Sequence, residues 1–103
     1  MTDRVGPTFE RLARNLLASQ PRIPHEWRPL QDGAGARTDL VCYPGSPDEV
    51  WATVRADSVA IGTGEGHEDF EDFGRRRTAA QIASDAVHRL VALLDRRGRD
   101  QAV

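Results

Sequence analysis

One histidine and five carboxylates occupy residues 64–74, directly before three arginines at 75–77. His67 with Asp69 offers ligand types that metal ions accept, and histidine is also the natural proton carrier near pH 7. The other histidines are remote in the sequence, and no serine or cysteine nucleophile accompanies His67 in a recognisable arrangement. We therefore predict no catalytic residue and no cofactor, and we keep a small metal- or acid–base-dependent enzyme centred on His67 as the alternative.

The carboxylates around His67 also have a non-catalytic use. A row of acidic side chains can steer and hold a basic partner surface, whereas most exposed charge runs form only weak local ion pairs. We predict that residues 64–74 form a charged loop. Its candidate partner-binding residues are Glu65, Glu68, Asp69, Glu71 and Asp72. The arginines at 75–77 could bind phosphate or pair with these acids, and the pattern leaves both possibilities open.

A second candidate surface comes from the alternating segment at residues 50–63. Its side chains change character with a period of two, which predicts two strands joined by a turn at Ala56 and Asp57. This turn would place Trp51 opposite Gly62 and gather valine, alanine and isoleucine side chains on one face. That aliphatic face requires an apolar cover.

The other face of this hairpin has the composition of a binding surface. It carries Trp51 and Arg55, and Val41 and Tyr43 join them if the preceding strand is in register. Tryptophan, tyrosine and arginine are typical of binding hot spots. We predict that Trp51, Arg55 and Tyr43 contact another protein or a second copy of this chain, as a homodimer. The alternative is that Trp51 only shields the backbone at Gly62.

Two amphipathic helices are predicted to cover the aliphatic face. Thr8 can cap a first helix of about three turns, which Pro21 stops. Thr78 and Gln81 fit the capping box of a second helix, in which apolar residues recur at spacings of three and four. Gly98 is expected to end that second helix.

Between the helices, the sequence predicts three to four strands. A weak first strand at about residues 26–31 is confined to a sheet edge by Pro29, and residues 37–43 form the next strand. Consecutive strands joined by short loops usually pair as an antiparallel meander. The predicted fold is therefore a two-layer α+β fold in the order α-β-β-β-β-α, with both helices packed on one face.

Composition limits the class of protein. The 103 residues allow a single domain, with residues 1–7 and 99–103 expected to fray. A formal charge of −2 argues against a dedicated nucleic-acid binder, and no apolar run could cross a membrane or act as a secretion signal. We expect a cytoplasmic, bacterial protein. Its single cysteine, Cys42, lies in an apolar run and is expected to be a buried thiol.

One segment resembles a known group of proteins. The run Val-Ala-Ile-Gly-Thr-Gly-Glu-Gly-His-Glu-Asp-Phe, at residues 59–70, precedes an amphipathic helix. This order is similar to the strand, His-x-x-Phe and helix ending of small uncharacterised bacterial proteins, among them predicted immunity proteins to polymorphic toxins. The likeness covers residues 50–94, about half the chain. It implies a small, non-catalytic, partner-binding protein that is immunity-like or otherwise regulatory.

Overall fold

The computed structural model describes residues 4–33, 35–71 and 77–101, with the backbone alone for 97–101. The chain begins with helix α1 (Val5–Ala18) and ends with helix α2 (Ala79–Gln101). Five strands lie between them: β1 (His25–Asp32), β2 (Gly35–Cys42), β3 (Val50–Val54), β4 (Ser58–Thr63) and β5 (Gly66–Glu71). They form one antiparallel sheet in the order β1-β2-β3-β4-β5, and the predicted α+β fold is confirmed.

The hairpin of β3 and β4 has the register that the alternating pattern predicts. Trp51 pairs with Gly62 and Val54 pairs with Val59. The Arg55 backbone N–H donates to the Ser58 carbonyl at 2.9 Å, which closes the two-residue turn. This register puts every valine and isoleucine of the hairpin on the buried face, and a slip by one residue would exchange the two faces.

The core lies between the sheet and the two helices. Helix α1 packs against β3 and β4, helix α2 packs against β3, β4 and β5, and the helices contact each other. The largest fully buried side chains are Phe9, Leu17, Leu40, Cys42, Val50, Val59, Ile61 and Leu90. Burying one such aliphatic or aromatic side chain contributes about 1.5–3 kcal/mol, so this cluster accounts for much of the stability.

The two helices differ from prediction at one end each. Helix α1 begins at Val5, and Thr8 is a buried helical residue instead of the cap, because Val5 itself docks into the core at 3% exposure. Pro7 is tolerated in this first turn, because the N–H groups of a first turn have no acceptor within the helix and the N–H that proline lacks is not needed. Helix α2 starts at the predicted capping box: the Thr78 N–H donates to Gln81 Oε1 at 2.9 Å, and the Gln81 N–H donates to Thr78 Oγ1 at 3.1 Å.

Helix α2 then continues past Gly98 to Gln101, so the expected stop at Gly98 is wrong. A glycine in a helix costs only about 1 kcal/mol relative to alanine, which does not by itself end one. Among the described residues, no helix is long and apolar enough to cross a membrane.

Strand β5 replaces most of the predicted charged loop. It pairs with β4 so that Phe70 lies opposite Val59 and packs on the core, while His67 lies opposite Gly62. Five of its six residues are exposed. A strand at the edge of an antiparallel sheet can therefore form with little alternation of apolar and polar side chains. The sheet therefore has five strands, one more than the longest meander that the sequence predicts. Strand β1 exists and is an edge strand, as Pro29 indicates.

Candidate functional site

The sheet surface that faces away from the helices, called the open face here, carries four of the eight candidate partner-binding residues, together with His67. Pairing and alternation place on it Arg28, Leu30, Asp32, Arg37, Asp39, Val41, Trp51, Thr53, Arg55, His67, Asp69 and Glu71. Trp51 and two of the acidic residues, Asp69 and Glu71, belonged to separate candidate surfaces in the sequence and lie on one surface of the sheet.

Trp51 and His67 form the centre of this neighbourhood. Trp51 pairs with Gly62, and Gly62 pairs with His67, so one row of the sheet joins the two rings across the bare glycine backbone. Their ring centroids are 5.8 Å apart with the planes tilted by 44°. Val41, on the other side of Trp51, is only 6% exposed although it faces away from the core. Trp51 itself is half-buried, so it covers part of this row of the sheet and still presents part of its side chain to solvent.

Arg55 is held within the protein. Its guanidinium donates two hydrogen bonds to Asp32, Nη2 to Oδ2 at 2.8 Å and Nη1 to Oδ1 at 3.3 Å. Asp32 also accepts from Arg37, and Arg37 donates to Asp39 at 3.3 Å. The Asp32 contact raises the Arg55 pKa. Arg55 thus belongs to a chain of alternating charges on the open face, and its charge is already compensated.

This charge network is not fully satisfied. Arg37 Nε and Asp39 Oδ1 are shielded from solvent without a hydrogen-bond partner in the described part of the chain. An unsatisfied buried polar atom costs about 1–3 kcal/mol. Polar groups kept at such a cost are more typical of a functional surface than of one selected for stability alone.

Leu30 adds an apolar side chain to the open face that the candidate residues did not include. It is 45% exposed and is the one exposed large hydrophobic residue among those described. The sequence shows only that Trp27 and Leu30, three positions apart on a strand, must lie on opposite faces; the structure shows that Trp27 takes the core side, which leaves Leu30 on the open face.

The predicted acidic residues divide between two faces of β5. Asp69 and Glu71 lie on the open face, and neither pairs with an arginine that the structure describes. Glu68 lies on the helix side, where it faces Arg89 at 3.4 Å. Glu65 is exposed in the turn between β4 and β5. Asp72 lies outside the described residues.

Tyr43 does not join the open face. Strand β2 ends at Cys42, and Tyr43 has a left-handed backbone with φ of 56°. Its N–H donates to the Pro24 carbonyl at 2.8 Å, and its half-buried ring packs against the core cluster. The expected alternation with Val41 fails because the strand stops one residue too early.

A groove of about 510 Å³ borders the open face at His67. Its floor is formed by buried Val50 and Ile61, and its rim carries charges of both signs, among them Glu65 and Arg96. An apolar floor under a charged rim suits a side chain with an aliphatic stem and a charged tip.

The chemistry around His67 is limited to one neighbouring carboxylate. His67 Nε2 lies 3.7 Å from Asp69 Oδ1, beyond direct hydrogen-bond distance. Among residues 4–33, 35–71 and 77–101, no three histidine, cysteine or acidic side chains converge in a way that could hold a metal ion. His25 contacts the Ile23 carbonyl at 3.0 Å, and His88 is exposed on α2.

The remaining reactive or basic candidates lie elsewhere. Cys42 is fully buried, and burial raises the pKa of its thiol to about 11, which disfavours the reactive thiolate. Arg77 forms an ion pair with Asp85 of helix α2. Arg75 and Arg76 lie outside the described residues, so for these two both alternatives, phosphate binding and pairing with the acidic residues, stand as they did from the sequence.

Comparison with known proteins adds no relative: no protein-family model, no curated protein and no solved structure matches this chain.

Proposed function

We propose that this chain is a small non-catalytic binding protein that contacts another protein through the open face of its sheet. The observation that carries the proposal is the coincidence, on a surface that neither helix covers, of half-exposed Trp51, exposed Leu30 and two carboxylates without an arginine partner among the described residues. Large apolar side chains beside uncompensated charge are typical of protein–protein contacts.

The charges of this surface define the chemistry of the partner. The arginines of its network are compensated by Asp32 and Asp39, whereas Asp69 and Glu71 are compensated by no described arginine. The open face is therefore negative along β5 and apolar at Trp51. A partner surface with lysine or arginine side chains around an apolar socket would complement it. Such a protein would act by occupying its partner's surface, as an immunity or regulatory protein does in the cytoplasm.

Affinity capture with matched variants tests this proposal. The wild-type protein, Trp51→Ala and Asp69→Asn/Glu71→Gln are used as bait in an extract of the source cells, with His88→Ala as the control for an exposed helix position. We expect one basic protein to be retained by the wild type and His88→Ala, and lost with both open-face variants that remain folded by circular dichroism. Retention by all four baits contradicts the proposal.

Native mass spectrometry of the same preparations separates the remaining outcomes. A heterodimer with the retained protein supports the proposal. A homodimer that dissociates on Trp51→Ala would assign the open face to a second copy of the chain instead. A monomer that retains a stoichiometric metal ion lost in His67→Ala would favour the enzyme centred on His67.

A further inference from the structure

Strand β5 has an outer edge to which no described strand is paired. The sheet order ends at β5, which pairs only with β4, from Ser58 with Glu71 to Thr63 with Gly66. In an antiparallel strand, alternate residues direct their N–H and C=O groups to each side, so about half of those groups point outward here. An unpaired row of this kind is a template for a further strand.

The opposite edge of the sheet is protected. Strand β1 contains Pro29, which cannot donate a hydrogen bond to an added strand, and Arg28 pairs with Glu26 along the same edge at 2.7 Å. Proline and charged pairs are devices by which proteins blunt sheet edges. Strand β5 has no proline, and its sequence Gly-His-Glu-Asp-Phe-Glu leaves only Phe70 partly buried.

The charges of β5 select what can pair with it. Asp69 and Glu71 project from the open face, and Glu68 projects from the other face. Residues two apart on a strand are about 7 Å apart, the repeat at which alternate side chains of a paired strand recur. Two copies of β5 would set like charges opposite one another, which destabilises a sheet, whereas arginine or lysine at every second position would meet opposite charges.

We propose that β5 is the docking edge for an extended basic segment of the partner protein, which adds a sixth strand to the sheet. The inference rests on the proposed function, because the segment belongs to the partner that the open face contacts. A strand added beside β5 would place its basic side chains next to Asp69 and Glu71 and bring the body of the partner toward Trp51. Main-chain hydrogen bonds would supply affinity, and the carboxylates would supply selectivity.

The test uses a synthetic probe, the blocked peptide Arg-Thr-Arg-Thr-Arg-Thr-Arg, titrated into the ¹⁵N-labelled protein. We expect the amides of Gly66–Glu71 to shift, the outward-facing half of them to exchange more slowly with solvent, and the amides of β1 to remain unchanged. Two N-methylated forms of the peptide, one methylated on its arginines and one on its threonines, separate strand pairing from charge attraction. One form should lose at least about tenfold in affinity, because only one set of N–H groups faces β5.

The carboxylates are tested with Asp69→Asn/Glu71→Gln, which changes exposed side chains only and should weaken peptide binding by about tenfold or more. Equal affinity of the two methylated peptides, protection at β1 in place of β5, or no binding at millimolar peptide would overturn the inference. Trp51→Ala should leave peptide binding intact while it abolishes capture of the partner. If the peptide fails to bind while capture still depends on Trp51, the docking edge is wrong and the open face stands.

Discussion

At the scale of single residues, burial and pairing decide which candidates remain available. Trp51 and His67 share a row of the sheet and stay partly exposed, whereas Arg55 is neutralised by Asp32 and Tyr43 packs on the core. Whether a side chain is available to contact a partner therefore depends on its neighbours in the fold and not on its residue type. The period-two alternation placed Trp51 on the face of the sheet where the structure has it, but residue type alone could not distinguish an arginine already in a network.

Cys42 provides a prediction on pH. Burial raises its pKa from 9.0 to about 11, so in the folded protein the neutral thiol persists to higher pH than in the unfolded chain. This contribution to stability is complete below pH 9 and is lost as the pH rises from 9 to 11, because the unfolded state then releases a proton that the folded state keeps. The loss is at most about 1.4 kcal/mol per pH unit. Urea denaturation across this range should show it for the wild type and not for Cys42→Ala; equal slopes would contradict the account.

His67 provides a prediction on the surface around Trp51. Because its ring lies beside the Trp51 ring, removing it exposes more indole to water. In a Trp27→Phe background, where Trp51 is the only tryptophan, His67→Ala should shift the fluorescence emission to longer wavelength. His88→Ala in the same background should leave the emission unchanged. An unshifted spectrum for His67→Ala would mean that the two rings are not in contact in solution.

At the scale of elements, the strands and helices position the open face through a few close contacts. Helix α1 is fixed to the turn between β3 and β4 by Gly6 N–H donating to the Ala56 carbonyl at 3.0 Å and by the Arg4–Asp57 ion pair at 2.8 Å. The same turn sets the register that aligns Trp51 with Gly62. The helix thereby supports, from the opposite side of the sheet, the face that we assign to binding.

Gly6 tests this docking of α1. A Cβ atom added there would overlap the Arg55 carbonyl oxygen, so the helix would have to move away from the strand. Gly6→Ala should lower the free energy of unfolding by about 2–3 kcal/mol, the range of severe overpacking. Gly64→Ala is the matched control, because its added Cβ would meet nothing within 4 Å, and it should change stability by less than about 0.5 kcal/mol. Similar urea midpoints for the two variants would show that α1 does not pack as described.

The strands and helices also show which parts of the fold could be predicted from the sequence. Alternation determined the register of β3 and β4, because one face had to be apolar, and a capping box located the start of α2 at Thr78. Strand β5 escaped prediction because only Phe70 of its six residues is partly buried, so its sequence lacks that alternation. The bond between Arg55 and Asp32 escaped because the two residues are distant in the chain, and nothing local to either one indicates the register of β1 on β2 that brings them together.

At the scale of the whole molecule, the two layers separate the core from the face that we propose for binding. The helices and the aliphatic side of the sheet form the core, and the open face is left with apolar side chains, a charge network and an acidic edge. The chain has one tryptophan on each side: Trp27 packs on the core side under Arg14, 4.2 Å from its ring centroid, and Trp51 lies on the open face. Each side can therefore be monitored separately by fluorescence.

The most direct test of the binding assignment is acrylamide quenching of Trp51 in Trp27→Phe, measured with and without the captured partner. We predict that partner binding lowers the quenching constant of Trp51 by at least about threefold, because a buried hot-spot ring loses contact with solvent. The converse variant, Trp51→Phe, reports on Trp27. The quenching constant of Trp27 should be the same without the partner and at a partner concentration that saturates this variant. Unchanged quenching of Trp51 in the complex, with protection of Trp27 instead, would contradict the assignment of the open face as the binding surface.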